Sequence, residues 1–180
     1  MAILQGAMPH SFPRWTDRTP GINLRMVAPR LYVGGCVAPL VRPFGTIIDL
    51  YGAVPAPRNQ DEREIEAGRE RAYAATPVVV RWPFVDGQEV PDGLLEEAAV
   101  AVAAGRERGD VLIHCQAGLS RSASVAYALV RAMGCDHQEA LRRVRTPEEP
   151  DFPRPTTLRS ARRWWAVMRG GDLVQSGMYR

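Results

Sequence analysis

Val111-Leu112-Ile113-His114-Cys115-Gln116-Ala117-Gly118-Leu119-Ser120-Arg121-Ser122 is the stretch from which the rest of the chain is read. Its apolar start fits a buried strand. From Ser122 to Met133 the residues Val125, Leu129 and Met133 recur four apart, as on one face of a helix closed by Gly134. Between strand and helix stand a cysteine, five residues and an arginine. A loop this tight builds an anion trap, because its N–H groups converge on one point and the positive end of the helix faces the same point. Gly118 lets the backbone turn without a Cβ clash. Arg121 offers a planar fork for two phosphate oxygens. Such surroundings favour the thiolate of Cys115, a nucleophile aimed at whatever the loop holds. The loop fits a tetrahedral dianion and the sequence has no visible metal cluster. The chemistry expected is therefore phosphoryl transfer to sulfur and then to water, with no cofactor or metal.

Outward from this loop, strands alternate with helices. Leu31-Tyr32-Val33, Thr46 to Tyr51 and Val78 to Trp82 read as strands, and Asp110 to His114 as the strand before the loop. Gln60 to Ala75 suits an exposed helix. Asp92 is placed to cap a helix from Leu94 to Ala104 with Gly105 as its C-terminal glycine. Asp136-His137-Gln138-Glu139 has the capping-box spacing for a short helix to about Arg145. Thr156 to Arg169 forms a last helix bearing Trp164 and Trp165, after a proline-rich connection. The alternation predicts a single α/β domain with a central, largely parallel sheet of about five strands flanked by helices. Residues 1–29, with four prolines and no sustained periodicity, read as a loop-rich extension. Residues 30–170 read as the domain and 171–180 as a tail.

Composition narrows the setting. The 180 residues carry 23 basic and 20 acidic side chains, a net charge of +3, and every basic one is arginine. With so small a net charge and no clustering of it, nucleic acid is not an expected partner. Cys36, Cys115 and Cys135 are an odd number without paired spacing, which speaks against a disulfide framework and for a reducing compartment. Cys36 and Cys135 read as small core residues, a redox partnership with Cys115 being the lesser alternative. His10 and His137 read as surface residues. The longest apolar run, Ala98 to Ala104, falls far short of a membrane span. A cytoplasmic monomer with no membrane span is the expectation.

HCQAGLSRS, residues 114–122, resembles the signature of the cysteine-dependent protein tyrosine phosphatases, and its AGLSRS ending is most similar to the dual-specificity branch. The likeness extends more loosely from Leu31-Tyr32-Val33-Gly34 to about Trp165. It implies a dual-specificity phosphatase-like fold in which Cys115 is the nucleophile and Arg121 binds phosphate and stabilises the transition state. By the same likeness Ser122 hydrogen-bonds the thiolate, and Gln116, Ala117, Gly118, Leu119 and Ser120 line the phosphate site with Arg121. His114 is implied as a support that orders the loop. The family also supplies an aspartate upstream as general acid. Asp86, in Trp82-Pro83-Phe84-Val85-Asp86, is preferred to its rival Asp92 because Asp92 already has a structural task as a helix cap.

The resemblance departs from pattern at one support. The family's usual asparagine after a proline, before the last helix, has no counterpart. Arg154-Pro155-Thr156-Thr157 stands nearby instead. The chain also lacks the tyrosine-bearing recognition loop of the larger enzymes, which implies a shallower pocket open to phosphoserine and phosphothreonine as well as phosphotyrosine. A phosphorylated protein or peptide is thus the expected substrate. A phosphoinositide or other small phosphomonoester is the alternative, weakened by the absence of lysine within the loop. A non-catalytic phosphate-binding module is a third reading, disfavoured because both the cysteine and the arginine are present.

Overall fold

Leu24–Ala28, taken from sequence as part of the loop-rich extension, forms a strand in the computed structural model of the protein. The structure describes residues 16–17, 22–51, 57, 59–147 and 149–168. The expected tail at 171–180 and most of the expected extension lie outside the described residues. The extended segments are β1 (Thr16–Asp17), β2 (Leu24–Ala28), β3 (Leu31–Gly34), β4 (Thr46–Asp49), β5 (Val78–Arg81) and β6 (Val111–His114). The helices are α1 (Gln60–Ala75), α2 (Leu94–Arg108), α3 (Arg121–Ala132), α4 (His137–Val144) and α5 (Pro155–Met168). The strands form one mixed sheet in the order β1-β2-β3-β6-β4-β5, antiparallel among the first three and parallel from β3 onward. The α/β architecture is the one expected, with a two-residue edge strand beyond the five substantial ones.

Strand β2 escaped a pattern-based reading for a physical reason. Both of its faces are covered, so its residues do not alternate between apolar and polar. Arg25 then breaks what would otherwise be an apolar run. It is 6% exposed and tolerated there because Nη1 and Nη2 of its guanidinium are both hydrogen-bonded, Nε being left without a protein partner. The sheet therefore includes residues before Arg30, which sits in the turn between β2 and β3 with φ of 59°.

The sheet has a core on each face. On one, Leu24, Tyr32, Phe44, Ile47 and Leu112 pack with Tyr73 of α1. On the other, Val33, Ile48 and Ile113 meet the helices α2 to α5. Helix α3 is buried on nearly every side from Arg121 to Val130, its run of small residues letting neighbouring elements approach. Two expected helix ends differ from the structure. The cap of α2 is Gly93, with φ of 80°, and Asp92 makes no capping bond. Gly105 is interior to that helix, which continues to Arg108. A Cβ there would lie 2.7 Å from both Thr46 Oγ1 and Val111 Cγ2, so this glycine serves close helix–sheet packing. The Asp136 cap does form, accepting from the Glu139 N–H at 2.8 Å. Among the described residues no helix is long and apolar enough to cross a membrane.

Candidate active site

Strand β6 is flanked by parallel neighbours β3 and β4, and its carboxyl end is where an open α/β sheet forms a crevice. Cys115 follows there at once, 2% exposed, with its Sγ 3.2 Å from Ser122 Oγ in the first turn of α3. The loop between them lies against the Gly34-Gly35 turn. Cys115 N–H donates to Gly34 O at 3.3 Å and Cys36 N–H to Gln116 O at 2.9 Å. Gly118 has φ of +78°, and a Cβ on it would stand 2.6 Å from Gly34 C and 2.7 Å from Gly35 N. Both the left-handed backbone and the backbone-to-backbone contact require glycine. Ser120 occupies the cap position of α3 but forms no side-chain cap bond. Its Oγ accepts instead from Arg154 N–H at 3.3 Å, so it offers no acceptor to the first-turn amides of α3.

Arg121 is 6% exposed and is held by one end. Its Nη1 donates to the carbonyls of Leu50 at 3.0 Å, Tyr51 at 3.5 Å and Phe84 at 2.8 Å, so it staples the ends of β4 and β5 to the start of α3. Its Nε is buried without a protein partner. A guanidinium pinned at one nitrogen and unsatisfied along its other edge is shaped to take two oxygens of an anion. The Tyr51 ring lies 5.6 Å from the guanidinium carbon of Arg121 and equally far from that of Arg69. Burial raises the Tyr51 phenol, against the pull of the two cations.

Behind the loop, His114 is fully buried. Its Nε2 is 2.6 Å from Tyr73 Oη, which donates to Asp49 Oδ2 at 3.0 Å, and its Nδ1 is 3.4 Å from the Cys115 carbonyl oxygen. Burial pulls the His114 pKa below that of a free imidazole, with Asp49 opposing. Asp49 Oδ1 meanwhile accepts the Tyr51 N–H at 2.8 Å, which shapes the turn whose carbonyls hold Arg121. Asp49 and Tyr73 carry no motif and were not singled out from sequence. Only the polarity of an aspartate ending the apolar run Thr46-Ile47-Ile48 hinted at a buried partner.

Asp86 lies on the loop after β5, two residues beyond the carbonyl that Arg121 holds. It is exposed and faces Arg154, whose Nε is 3.5 Å from Asp86 Oδ2. Asp92 does not have the capping task expected of it, because Gly93 is the cap. Asp86 is preferred instead on position, since Arg121 anchors its own loop. Cys36 is half-buried at the end of β3 rather than in the core, and burial pushes its thiol up, so it has little thiolate to offer. Cys135 is buried as expected. His137, expected at the surface, is half-buried, with Nδ1 2.8 Å from Tyr127 Oη and Nε2 3.3 Å from Arg162. His10 lies outside the described residues. Among the described residues no three His, Cys, Asp or Glu side chains are grouped to hold a metal.

On its outer side the loop meets residues from near the start of the chain. Asn23 Nδ2 donates to Ala117 O at 2.8 Å, and Arg25 Nη2 donates to Gly118 O at 2.9 Å and to Val144 O at 2.5 Å. Neither residue was read as functional from sequence, since both fell in the presumed extension.

The architecture defines the class: the chain has the fold of the dual-specificity phosphatases. Human DUSP28 is 22% identical, with 86% of this chain and 99% of that one covered and a TM-score of 0.60. DUSP15 is 21% identical over 82% of this chain and 90% of that one, also at 0.60. Pseudomonas (P. aeruginosa) TpbA, as a cysteine-to-serine variant in complex with pTyr, is 22% identical over 92% and 91%, with a TM-score of 0.52. No protein-family model matches the sequence, and no curated relative does.

Proposed function

We propose that the protein hydrolyses phosphomonoesters through a cysteinyl-phosphate intermediate, with phosphotyrosine and phosphoserine or phosphothreonine in proteins as its substrates. The observation that carries this reading is the pairing of Cys115 Sγ, 3.2 Å from Ser122 Oγ, with an Arg121 guanidinium pinned at Nη1 and unsatisfied at Nε. The nucleophile and the anion-binding edge thus belong to one loop and the first residues of one helix.

In the first step the Cys115 thiolate attacks phosphorus and the bond to the ester oxygen breaks. Asp86 gives that oxygen its proton, and Arg121 and the loop amides hold the non-bridging oxygens as charge redistributes. In the second, the Asp86 carboxylate takes a proton from water as the water attacks phosphorus. The S–P bond breaks, phosphate leaves, and the Ser122 hydroxyl stabilises the returning thiolate. His114 and its Asp49–Tyr73 network hold the strand end from which Cys115 projects. The TpbA complex with pTyr supports phosphotyrosine as one substrate of this fold. The three free thiols suit work in a reducing compartment.

The test compares a phosphotyrosine peptide, a phosphothreonine peptide and a phosphoinositide, with chelator present, using wild type and Cys115→Ser. Release from the peptides by wild type, abolished in the variant while inorganic phosphate still binds, is the expected result. Turnover that survives Cys115→Ser sinks the covalent mechanism. Release from the lipid alone reassigns the substrate class.

A further inference from the structure

For loop amides to converge on an anion, the carbonyls of the same peptides must point the other way, because C=O and the following N–H are antiparallel across a trans peptide plane. Three successive carbonyls of the loop meet donors on the side of β2 and β3. Gln116 O accepts from Cys36 N–H at 2.9 Å, Ala117 O from Asn23 Nδ2 at 2.8 Å and Gly118 O from Arg25 Nη2 at 2.9 Å. The N–H groups of Ala117, Gly118 and Leu119 are thereby turned toward the opposite side, that of β4 and β5, where the carbonyls of Leu50 and Phe84 hold the Arg121 guanidinium.

We propose that Asn23 and Arg25 are positioning residues that hold the loop in its anion-binding form before any ligand arrives, an assignment that rests on the phosphatase reading for its effect on turnover. Asn23 is suited to its place, since its φ of 39° is a left-handed conformation that asparagine adopts more readily than most residues. Arg25 is suited by reach: one guanidinium ties Asn23 O at 3.0 Å, Gly118 O and the last-turn carbonyl of α4 at Val144. A cation at a helix C-terminus is itself favourable. Burial lowers the Arg25 pKa to about 10, so it remains charged at neutral pH, and Cys115 favours that charge in turn. The two residues thus perform the task that the family's absent asparagine would have had.

The experiment measures hydrogen exchange at the amides of residues 116–119 in ligand-free protein, together with kcat and KM for a phenyl phosphate, in wild type, Asn23→Asp, Asn23→Ala and Arg25→Met. Asn23→Asp keeps the shape and loses the donor. Expected are faster exchange confined to the loop in all three variants and loss of kcat/KM on the order of 10²-fold for Arg25→Met, as for comparable misplacement of reacting groups. The loss in Asn23→Asp should match that in Asn23→Ala, with thermal midpoints of both near wild type. Unchanged loop exchange in both Asn23 variants, or exchange raised evenly over the whole sheet, overturns the assignment. Exchange requires no turnover, so it decides the clamp even for a wild type that hydrolyses nothing, an outcome that would refute the phosphatase reading alone.

Discussion

Cys115 is 2% exposed, whereas the side chain of Asp86 is 38% exposed, although the proposed reaction needs both within reach of one phosphate. The cysteine half of the site is tied on every side, by Gly34, Cys36, Asn23, Arg25 and the buried Asp49–Tyr73–His114 network. The acid half rests on the Phe84 carbonyl and an exposed ion pair with Arg154, worth about 0–1 kcal/mol as such pairs go. The difference follows from their tasks. An anion pocket gains from dipoles fixed beforehand, since they need no rearrangement as charge develops. An acid that must meet a leaving group, then a water, and then let phosphate out gains nothing from being locked.

Substitutions should separate the halves. Asp86→Ala is expected to lower kcat with a phenyl phosphate by about 10²–10⁴-fold, the usual worth of a general acid, while leaving the affinity for inorganic phosphate unchanged. An equal loss in Asp92→Ala with none in Asp86→Ala would transfer the role. Arg121→Lys is expected to cost on the order of 10²–10³-fold in turnover and to weaken phosphate as well, because a single ammonium cannot both bridge the Leu50 and Phe84 carbonyls and grip two oxygens. Retained phosphate affinity in this variant would erase the distinction between the halves. Gly118→Ala should fall next, losing about 10²-fold in kcat/KM as the loop backs away from Gly34-Gly35. An alanine enzyme with wild-type kinetics would show that the close approach is dispensable.

The smallest effect concerns stability. Burial depresses the folded-state pKa of His114, so between that value and the unfolded value of about 6.5 the unfolded chain binds the extra proton. Its contribution is therefore complete above about pH 6.5 and is lost as pH falls toward the folded pKa, at no more than about 1.4 kcal/mol per pH unit. Thermal midpoints measured from neutral to mildly acidic pH should fall in wild type and fall less in His114→Gln. Parallel slopes would place the titration elsewhere.

Legibility followed contiguity in sequence. The strand, Cys115, Gly118, Arg121 and Ser122 occupy one run of twelve residues, 111–122, so their local geometry could be read directly. The supports come from far away, Asn23 and Arg25 lying 94 and 93 positions from their partners, and no local pattern reports such a contact. Asp49 and Tyr73 escaped for the same reason. Asp92 shows a different failure, a good capping residue one place too early, where a left-handed Gly93 took the role. His137 was misjudged because its partners Tyr127 and Arg162 lie on other helices.

Long-range bracing also fixes the order in which this molecule matures. On the ribosome, the segment of β2 and β3 emerges long before residues 115–122, and its donors bond to water until β6 is laid between β3 and β4. Ring closures spanning more than ninety residues carry an entropic cost that local helices avoid, so they belong to the late events of folding. An incompletely folded chain thus bears a cysteine without its cradle. In a refolding time course, the recovery of turnover should trail the helical signal and coincide with the slowest assembly of the sheet.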